Sequence, residues 1–238
     1  DLHSFPTRRS SDLDLNISGI TEVKAPWQSP IEIPANAFSN ATYEGATLFV
    51  PGGTMNDYKA DAVWSKFLNI EASSYFVTGT ATAGGTLAFA DLTVTNGTET
   101  VLIDRETDVT FTVAPETNYD FTSLTVNGEA VEVANNTYTY PNLLTDIDVK
   151  ATFTEKPKFD IKATATGGTV SLNGANFSAS QTIKVYRDTD VTLAIAAAEG
   201  YENPKVVVNG QDVTAQLQDN TLTLENIQEA KTIVVTYS

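Results

Sequence analysis

The feature that most constrains the fold is a motif that occurs twice at a fixed spacing. The first copy, residues 105–128, reads RETDVTFTVAPETNYDFTSLTVNG, and the second, residues 187–210, reads RDTDVTLAIAAAEGYENPKVVVNG. Equivalent residues are 82 positions apart, since 187 − 105, 201 − 119 and 210 − 128 all give 82. A constant offset across a charged run, a tyrosine and a Val-Asn-Gly turn indicates a tandem duplication of one module.

Both copies predict strands joined by hairpins. Apolar residues alternate with threonine or alanine, the pattern of a strand with one buried face, at Val109, Phe111 and Val113 and at Val191, Leu193 and Ile195. The Asn-Gly pairs at 127–128 and 209–210 predict type I′ hairpins, because both central residues of that turn need a positive φ. The Gly-Gly-Thr runs at 84–86 and 167–169 predict turns.

The second module carries a short insertion. Later turns are predicted at Asn136-Thr137 and Asn220-Thr221, and the closing strands carry Phe153 and Tyr237, which are 84 residues apart because 237 − 153 is 84. Two extra residues therefore lie between the Asn-Gly hairpin and the later turn of the second module, where a loop accommodates them easily. Residues 155–158 (EKPK) are predicted to link the modules.

The order of these features resembles the divergent internalin-type B-repeat family, small β-rich domains of bacterial surface proteins. The shared features are the Gly-Gly-Thr turn, the Val-Thr strand, Tyr119 or Tyr201, and the Val-Asn-Gly hairpin. The family often has a tryptophan shortly before that hairpin, whereas Leu124 and Val206 stand there in this chain. The resemblance covers nearly all of residues 73–238.

Residues 14–72 predict one strand and a short helix. The run at 46–50 is mostly apolar and ends at Pro-Gly-Gly, which is typical of a strand followed by a turn. Thr54 is predicted to cap a helix with Asp57 three positions on, and apolar contacts are predicted at Tyr58, Ala62, Trp64 and Phe67. A lone strand and a short helix cannot bury their apolar faces, so we expect this segment to lean on a neighbour that lies outside the given sequence.

The same stretch resembles the last repeat and C-terminal cap of BspA-like leucine-rich-repeat proteins, a surface family well represented in Bacteroidota. The matching residues are Ala46, Thr47, Leu48, Phe49, Val50, Pro51, Gly53, Thr54, Tyr58, Lys59, Trp64, Phe67 and Ile70. Phe49 replaces the tyrosine usual in the family and keeps the position aromatic. The resemblance covers roughly residues 15–71 and implies further leucine-rich repeats upstream.

The first residues have a different origin. Residues 3–13 read HSFPTRRSSDL, which matches one reading frame of a common short-read sequencing adapter. We therefore interpret residues 1–13 as an assembly artefact and leave them out of the fold, with the native N-terminus expected elsewhere. The only histidine, His3, falls in this segment, and with it any histidine base or metal ligand.

Charge and cysteine content argue against several functions. The chain has 30 acidic and 14 basic residues and a formal net charge of −16, which opposes binding to nucleic acid or to an anionic membrane. Cysteine is absent, so the sequence offers no disulfide, thiolate nucleophile or cysteine metal site. No apolar run is long enough to insert into a membrane.

Few polar residues are candidates for chemistry. Asp104, Glu106 and Asp108, repeated in part by Asp188 and Asp190, have the carboxylate oxygens that calcium prefers. Their spacing lacks the glycine and the terminal glutamate of an EF-hand, so a solvated turn before a strand is the better interpretation. Paired carboxylates also serve glycoside hydrolysis, but among 30 acidic residues nothing singles out a pair.

The aromatic and asparagine candidates have plainer interpretations. Tyr119 and Tyr201 could stack on sugars, but a place in the core or at its rim is favoured, and packing is favoured for Trp27 and Trp64. Asparagines that match N-x-Ser/Thr are interpreted as ordinary surface residues: Asn16, Asn40, Asn96, Asn135 and Asn176. The sequence therefore assigns no catalytic, cofactor-binding or metal-ligating residue and predicts no enzyme.

The predicted fold class is mostly β: a partial leucine-rich-repeat cap of a strand and a short helix at residues 14–72, then two small all-β modules at 73–155 and 156–238. The resemblances imply a non-catalytic bacterial cell-surface or secreted protein. We expect the upstream solenoid to bind a protein or glycan at a surface, with the modules as spacers. Two alternatives remain, a purely structural stalk and the accessory tail of a polysaccharide-acting enzyme.

Overall fold

The computed structural model describes residues 19–238, so the predicted adapter segment, His3 and the sequon at Asn16 lie outside the described residues. The described chain is mostly β and separates into two compact units. The first contains the chain up to Pro115 together with Phe121–Phe153, and the second contains Glu116–Asp120 together with Thr154–Ser238. The domain boundaries at residues 72 and 155 stay predictions. Within residues 19–238, none of the helices combines the length and the apolar character needed to cross a lipid bilayer.

The elements follow one another along the chain with few helices. The N-terminal part contains β1 (Glu22–Lys24), α1 (Asn40–Gly45), β2 (Thr47–Val50), α2 (Met55–Ala60), a 3-10 turn (Trp64–Lys66) and β3 (Asn69–Ala72). The first β-rich part contains β4 (Ser74–Phe89), β5 (Leu92–Asp104), β6 (Val109–Pro115), β7 (Tyr119–Val126), β8 (Glu129–Val131), β9 (Thr137–Tyr140) and β10 (Ile147–Glu155). The second contains β11 (Lys158–Thr166), β12 (Gly168–Leu172), β13 (Ser180–Tyr186), β14 (Val191–Ala197), β15 (Lys205–Val208), β16 (Gln211–Asp212), a 3-10 turn (Thr214–Gln216), β17 (Thr221–Leu224) and β18 (Lys231–Thr236).

The N-terminal strands form a small parallel sheet in which β2 lies between β1 and β3. The register partners Glu22, Thr47 and Asn69 are successively 25 and 22 residues apart. The predicted strand at 46–50 is confirmed as β2, but the sequence did not predict its partners, because β1 and β3 are only three and four residues long. The strand therefore has a neighbour on each side within this chain, which corrects the expectation that its neighbour lies outside the given sequence.

An aromatic cluster fills the space behind this sheet. Tyr58, Trp64 and Phe67 are all at least 97% buried. The Tyr58 hydroxyl donates to the carbonyl of Trp27 at 2.8 Å and the Trp64 indole N–H to that of Ile31 at 2.8 Å, so the polar atoms of two buried rings are satisfied.

The predicted helix cap is wrong in its chemistry. Thr54 stands at the N-cap of α2 but makes no side-chain hydrogen bond to the helix. Its hydroxyl instead donates to the carbonyl of Pro51 at 2.8 Å and closes the preceding turn, and its oxygen accepts no N–H of the helix.

The first unit is built around β4, in a sheet with the strand order β8-β7-β10-β4-β6-β9 and β5 paired to β4. The N-terminal half of β4 pairs in parallel with β10, and its C-terminal half pairs antiparallel with β6. The predicted turn at 84–86 is wrong here: the strand continues through it with a register shift between Ala81 and Thr86. Gly85 is needed at this irregularity because a Cβ there would lie 2.5 Å from the ring of Phe153.

The second unit breaks the corresponding strand in two. Gly167, with φ of +75°, separates β11 from β12. The two strands enter different sheets, one with the order β13-β11-β18-β15-β16 and one with the order β12-β14-β17. Residues 156–157 lie between the end of β10 at Glu155 and the start of β11 at Lys158, so the predicted linker at 155–158 includes one residue of each strand.

The predicted alternation is confirmed in both copies of the motif. The inward residues are no more than 3% exposed: Val109, Phe111 and Val113 on β6, and Val191, Leu193 and Ile195 on β14. Both Asn-Gly hairpins are also confirmed, joining β7 to β8 and β15 to β16 with positive φ at both central residues. The alternation thus places one face of each strand in a core and leaves the other to solvent.

Phe111→Ala tests this assignment of faces. Removing a fully buried ring is expected to lower the free energy of unfolding of the first unit by about 3–5 kcal/mol, because a cavity replaces its contacts. Its exposed neighbour on β6 provides the control, and Thr112→Ala is expected to change that free energy by less than about 0.5 kcal/mol. Denaturant unfolding measures both, and similar losses in the two variants would contradict the assignment.

Candidate functional site

Backbone hydrogen bonds hold the charged residues at the start of the motif against a loop. In the first copy, Glu106 has φ of +63° and donates its N–H to the carbonyl of Leu143 at 2.8 Å. Leu143 in turn donates to the carbonyl of Thr107 at 3.0 Å. The second copy repeats both bonds at 2.9 Å, from Asp188 to Ile227 and from Ile227 to Thr189. The motif therefore fastens the end of one strand to a loop that is distant in sequence.

The next acidic residue of each motif caps the same loop. The Asp108 carboxylate accepts the N–H of Asn142 at 2.8 Å, and that of Asp190 accepts the N–H of Asn226 at 2.8 Å. Both asparagines have a positive φ, 49° and 50°. Among the described residues, no group of three or more histidine, cysteine, aspartate or glutamate side chains is placed to hold a metal ion. Asp108 and Asp190 thus have a structural role as caps of this loop.

Asp188 lies at the centre of a small polar network in the second unit. Its carboxylate accepts a hydrogen bond from the Gln228 amide at 2.7 Å and pairs with the Lys156 ammonium at 2.9 Å. These contacts, the Gln228 bond foremost, lower the pKa of Asp188 to about 2. The ionised form is therefore the one that the folded unit stabilises.

The aromatic residues considered for sugar stacking or packing lie at or near the protein core. Tyr201 is 47% exposed, and its ring lies where a Cβ on Gly167 would be, so it covers the strand break at the rim of the core. Tyr119 is half-buried. Trp64 is buried with its ring centroid 6.4 Å from that of the half-buried Trp27. The described sequon asparagines are all exposed: Asn40, Asn96, Asn135 and Asn176.

The second unit contains a polar groove of about 750 Å³. Its floor is apolar and consists of the buried residues Val208, Val213, Leu222 and Ile227. Its walls are polar and consist of Asn209, Gln211, Gln216, Gln218, Thr221, Thr223, Glu225, Glu229 and Lys231, with Leu224 between them. We take this groove as the candidate functional site because polar side chains converge there over an apolar surface.

One wall of the groove is a 3-10 turn that its own sequence fixes. The Asp212 carboxylate accepts both the N–H of Thr214 at 3.0 Å and its hydroxyl at 2.6 Å, and this hydroxyl accepts the N–H of Val206 at 2.9 Å. The bonds from Thr214 lower the pKa of Asp212. Leu217 packs against the core, which leaves Gln216 and Gln218 on the exposed side.

The opposite side of the groove carries an ion pair. The Glu229 carboxylate lies 2.8 Å from the Lys231 ammonium, and this contact is the main reason that its pKa is lowered. Asn209 is held rigidly, since its side-chain oxygen accepts the N–H of Thr232 at 2.8 Å. This side therefore presents one cation and one anion that pair with each other.

The 3-10 turn beside the groove lies where the second copy has its two-residue insertion. In the first copy Val131 and Ala134 are separated by two residues, whereas in the second the equivalent Val213 and Gln218 are separated by four. The first copy has no 3-10 turn there and carries Glu129 and Ala134 where the second carries Gln211 and Gln218. Sequence reasoning treated the insertion only as an easily absorbed loop, so it missed the groove, although the change of offset from 82 to 84 was its signal.

Comparison with known proteins gives distant likenesses. No protein-family model matches the chain, and no curated protein matches it. The resemblances to the BspA-like and B-repeat families therefore rest on the sequence motifs alone.

Several solved structures of bacterial pilus proteins are similar in part. A streptococcal ancillary pilin has a TM-score of 0.35 at 8% identity, over 71% of this chain and 66% of that chain, just under two thirds of its length. The C-terminal fragment of the pilus adhesin SpaC from Lactobacillus rhamnosus GG has a TM-score of 0.34 at 10% identity, over 69% of this chain and 97% of that chain. The major pilin T-13 from Streptococcus pyogenes has a TM-score of 0.32 at 10% identity, over 69% and 96%.

Asp190→Ala separates the capping role from a metal site. Loss of the acceptor for the Asn226 N–H is expected to lower the free energy of unfolding by about 1 kcal/mol, as for other backbone caps. Asp190→Asn keeps an acceptor oxygen and is expected to lose less. Calcium chloride is expected to leave the thermal midpoint of the wild-type chain unchanged. A midpoint that rises with calcium in the wild type and not in the alanine variant would instead identify a metal site.

The lowered pKa of Asp188 makes the stability of the second unit depend on pH. Its folded pKa of about 2 lies below the unfolded value of about 3.9, so its stabilising contribution is present above about pH 4 and disappears as the pH falls towards 2. Asp188→Asn is expected to lower the thermal midpoint at pH 7 and to match the wild type near pH 2. Glu199→Gln, which changes an exposed carboxylate of the same unit, is the control. A constant difference between Asp188→Asn and wild type across this window would contradict the prediction.

Proposed function

We propose that the chain is part of a non-catalytic bacterial surface or secreted protein that adheres through a leucine-rich solenoid, with β-modules at residues 73–155 and 156–238 as spacers. The partner is a protein or a glycan at a surface. In this proposal, the parallel sheet near the N-terminus is the end of the solenoid.

The spacing of the parallel strands is the observation that carries the proposal. Glu22, Thr47 and Asn69 stand in register at intervals of 25 and 22 residues. Leucine-rich repeats have periods of 20–29 residues with one strand in each repeat, and both intervals fall in that range. Among the described residues β1 pairs with β2 only, and the strand of a preceding repeat would pair with its other edge.

A fixed junction between the cap and the following sheet supports the spacer role. Arg105, the first residue of the motif, pairs with the Glu71 carboxylate on β3 and lies over the Phe49 ring, 5.4 Å from its centroid. Its N–H also donates to the carbonyl of Ser73 at 2.9 Å. Residues from β2, β3 and the motif thus meet at one side chain, which would transmit the orientation of the cap to the β-sheet of the first unit.

Binding by the native protein tests the proposal. The chain joined to its upstream repeats is expected to bind a host matrix protein, a glycan or a bacterial surface in a broad screen, and the same protein without those repeats is expected to lose that binding. Failure of the longer protein to bind any surface would contradict adhesion. Hydrolysis of a polysaccharide by the longer protein would instead favour the accessory tail of an enzyme.

A module exchange distinguishes the roles within the chain. Replacing residues 73–155 with an unrelated β-domain of equal length is expected to retain binding by the solenoid. Loss of that binding, with the solenoid still folded by circular dichroism, would show that the first module does more than space the binding face.

A further inference from the structure

We infer that the groove of the second unit is itself a binding site, and that its ligand is a neutral oligosaccharide segment. This goes beyond the spacer role proposed above, because it gives one of the two modules a ligand of its own. The inference rests on the hydrogen-bonding chemistry of the walls, the surrounding charge and the origin of the groove in the insertion.

The wall carries three amide side chains that the fold does not use. Gln211, Gln216 and Gln218 are exposed, and within the described chain their side-chain amides have no hydrogen-bond partner. Each amide offers two donors and an acceptor. A sugar hydroxyl also donates and accepts, so a row of primary amides matches a row of hydroxyls better than it matches a carboxylate or an ammonium group.

The floor and the opposite side complete this match. Val208 and Val213 are each 9% exposed and Leu224 is partly exposed, so together they leave a small apolar surface beside the polar rim, against which the C–H groups of a sugar ring can pack. Thr221 lies beside Gln218, to whose carbonyl its hydroxyl donates at 2.7 Å, and Thr223 and Glu225 add further oxygen atoms along and just after β17. The volume of about 750 Å³ falls within the range of 300–1,000 Å³ typical of ligand sites and is enough for a few sugar rings.

The charge around the groove distinguishes a neutral from an anionic glycan. The groove has two glutamates and a single lysine, and that lysine already pairs with Glu229. The whole chain carries a formal net charge of −16. A polyanionic glycan would be repelled, so the ligand is neutral.

An extended peptide is a poorer match to the same groove. A peptide that adds to a sheet edge needs a row of free backbone groups and pockets for alternate side chains. The edges that border this groove are short, two residues on β16 and four on β17, and the apolar residues of the floor are buried. The side-chain amides, in contrast, are exposed and unpaired.

The duplication supplies an internal comparison. The first copy lacks the insertion, and it has Glu129 and Ala134 where the second copy has Gln211 and Gln218. The scaffold bonds of Asp108 and Asp190 are nevertheless the same in both copies. The two copies therefore share this contact but differ in the number of sheets and in the insertion, and the groove forms in the copy that carries the insertion.

The test is titration calorimetry with the full 238-residue chain. The probes are four soluble neutral polysaccharides, laminarin, dextran, arabinoxylan and yeast mannan, with polygalacturonate as the anionic comparator. Reduced, carboxymethylated α-lactalbumin serves as the unfolded-polypeptide probe. We expect at least one neutral polysaccharide to bind and polygalacturonate to bind more weakly or not at all.

A double variant assigns the binding to the groove. Gln216→Ala with Gln218→Ala is expected to weaken binding about tenfold, because each lost hydrogen bond changes affinity by a few-fold. The thermal midpoint should stay unchanged, since neither side-chain amide has a partner in the fold. Gln28→Ala, an exposed amide in the first unit, is the matched control and should bind as the wild type does.

Three outcomes would overturn the inference. They are binding of no neutral polysaccharide, stronger binding of polygalacturonate or unfolded α-lactalbumin than of any neutral one, and unchanged affinity in the double variant. None of these bears on the upstream solenoid, so this inference and the proposed adhesion fail or succeed separately.

Discussion

Both copies of the motif depend on one strained residue that two hydrogen bonds hold in place. Glu106 and Asp188 have φ of +63° and +65°, a backbone conformation that costs a residue with a side chain about 1–3 kcal/mol. Each donates its N–H to a loop carbonyl, of Leu143 or Ile227, and the same loop residue donates back to the motif. Because Leu143 and Ile227 are no more than 1% exposed, these bonds lie at the edge of a core and are shielded from water. This contact ties the end of β5 or β13 to the loop that precedes β10 or β18.

The acidic residues that both copies share cap the same loop that these bonds hold. The insertion accounts for the groove of the second copy. Asp108 and Asp190 cap equivalent asparagines, so acidity at the start of the motif serves the fold. The extra residues form a 3-10 turn that Asp212 and Thr214 fix and that Val213 anchors in the core. Gln216 and Gln218, on the outer side of this turn, make no side-chain contact that the fold requires. Such side chains can bind a ligand without a loss of stability.

The sequence predicted those parts of the fold that depend on local pattern. Alternation at Val109, Phe111 and Val113 reports burial directly, and Asn-Gly at 127–128 reports a backbone that few other residue pairs adopt. It did not predict β1 and β3, because each pairs with β2 through contacts between residues that are more than 20 positions apart in the sequence. It also could not show that one Gly-Gly-Thr run continues a strand while the other breaks it, since that difference depends on packing around Gly85 and Gly167. The groove was missed because its residues converge from strands and turns that are each unremarkable.

Amide hydrogen exchange of the folded chain, followed residue by residue by NMR, measures whether these paired bonds hold the motif. We expect slow exchange at Glu106 and Asp188, and comparably slow exchange at Leu143 and Ile227, because the same paired bonds hold both copies. Exchange at the rate of an unfolded chain for either pair would contradict it, since the motif would then not be the fastening on which its sheet depends.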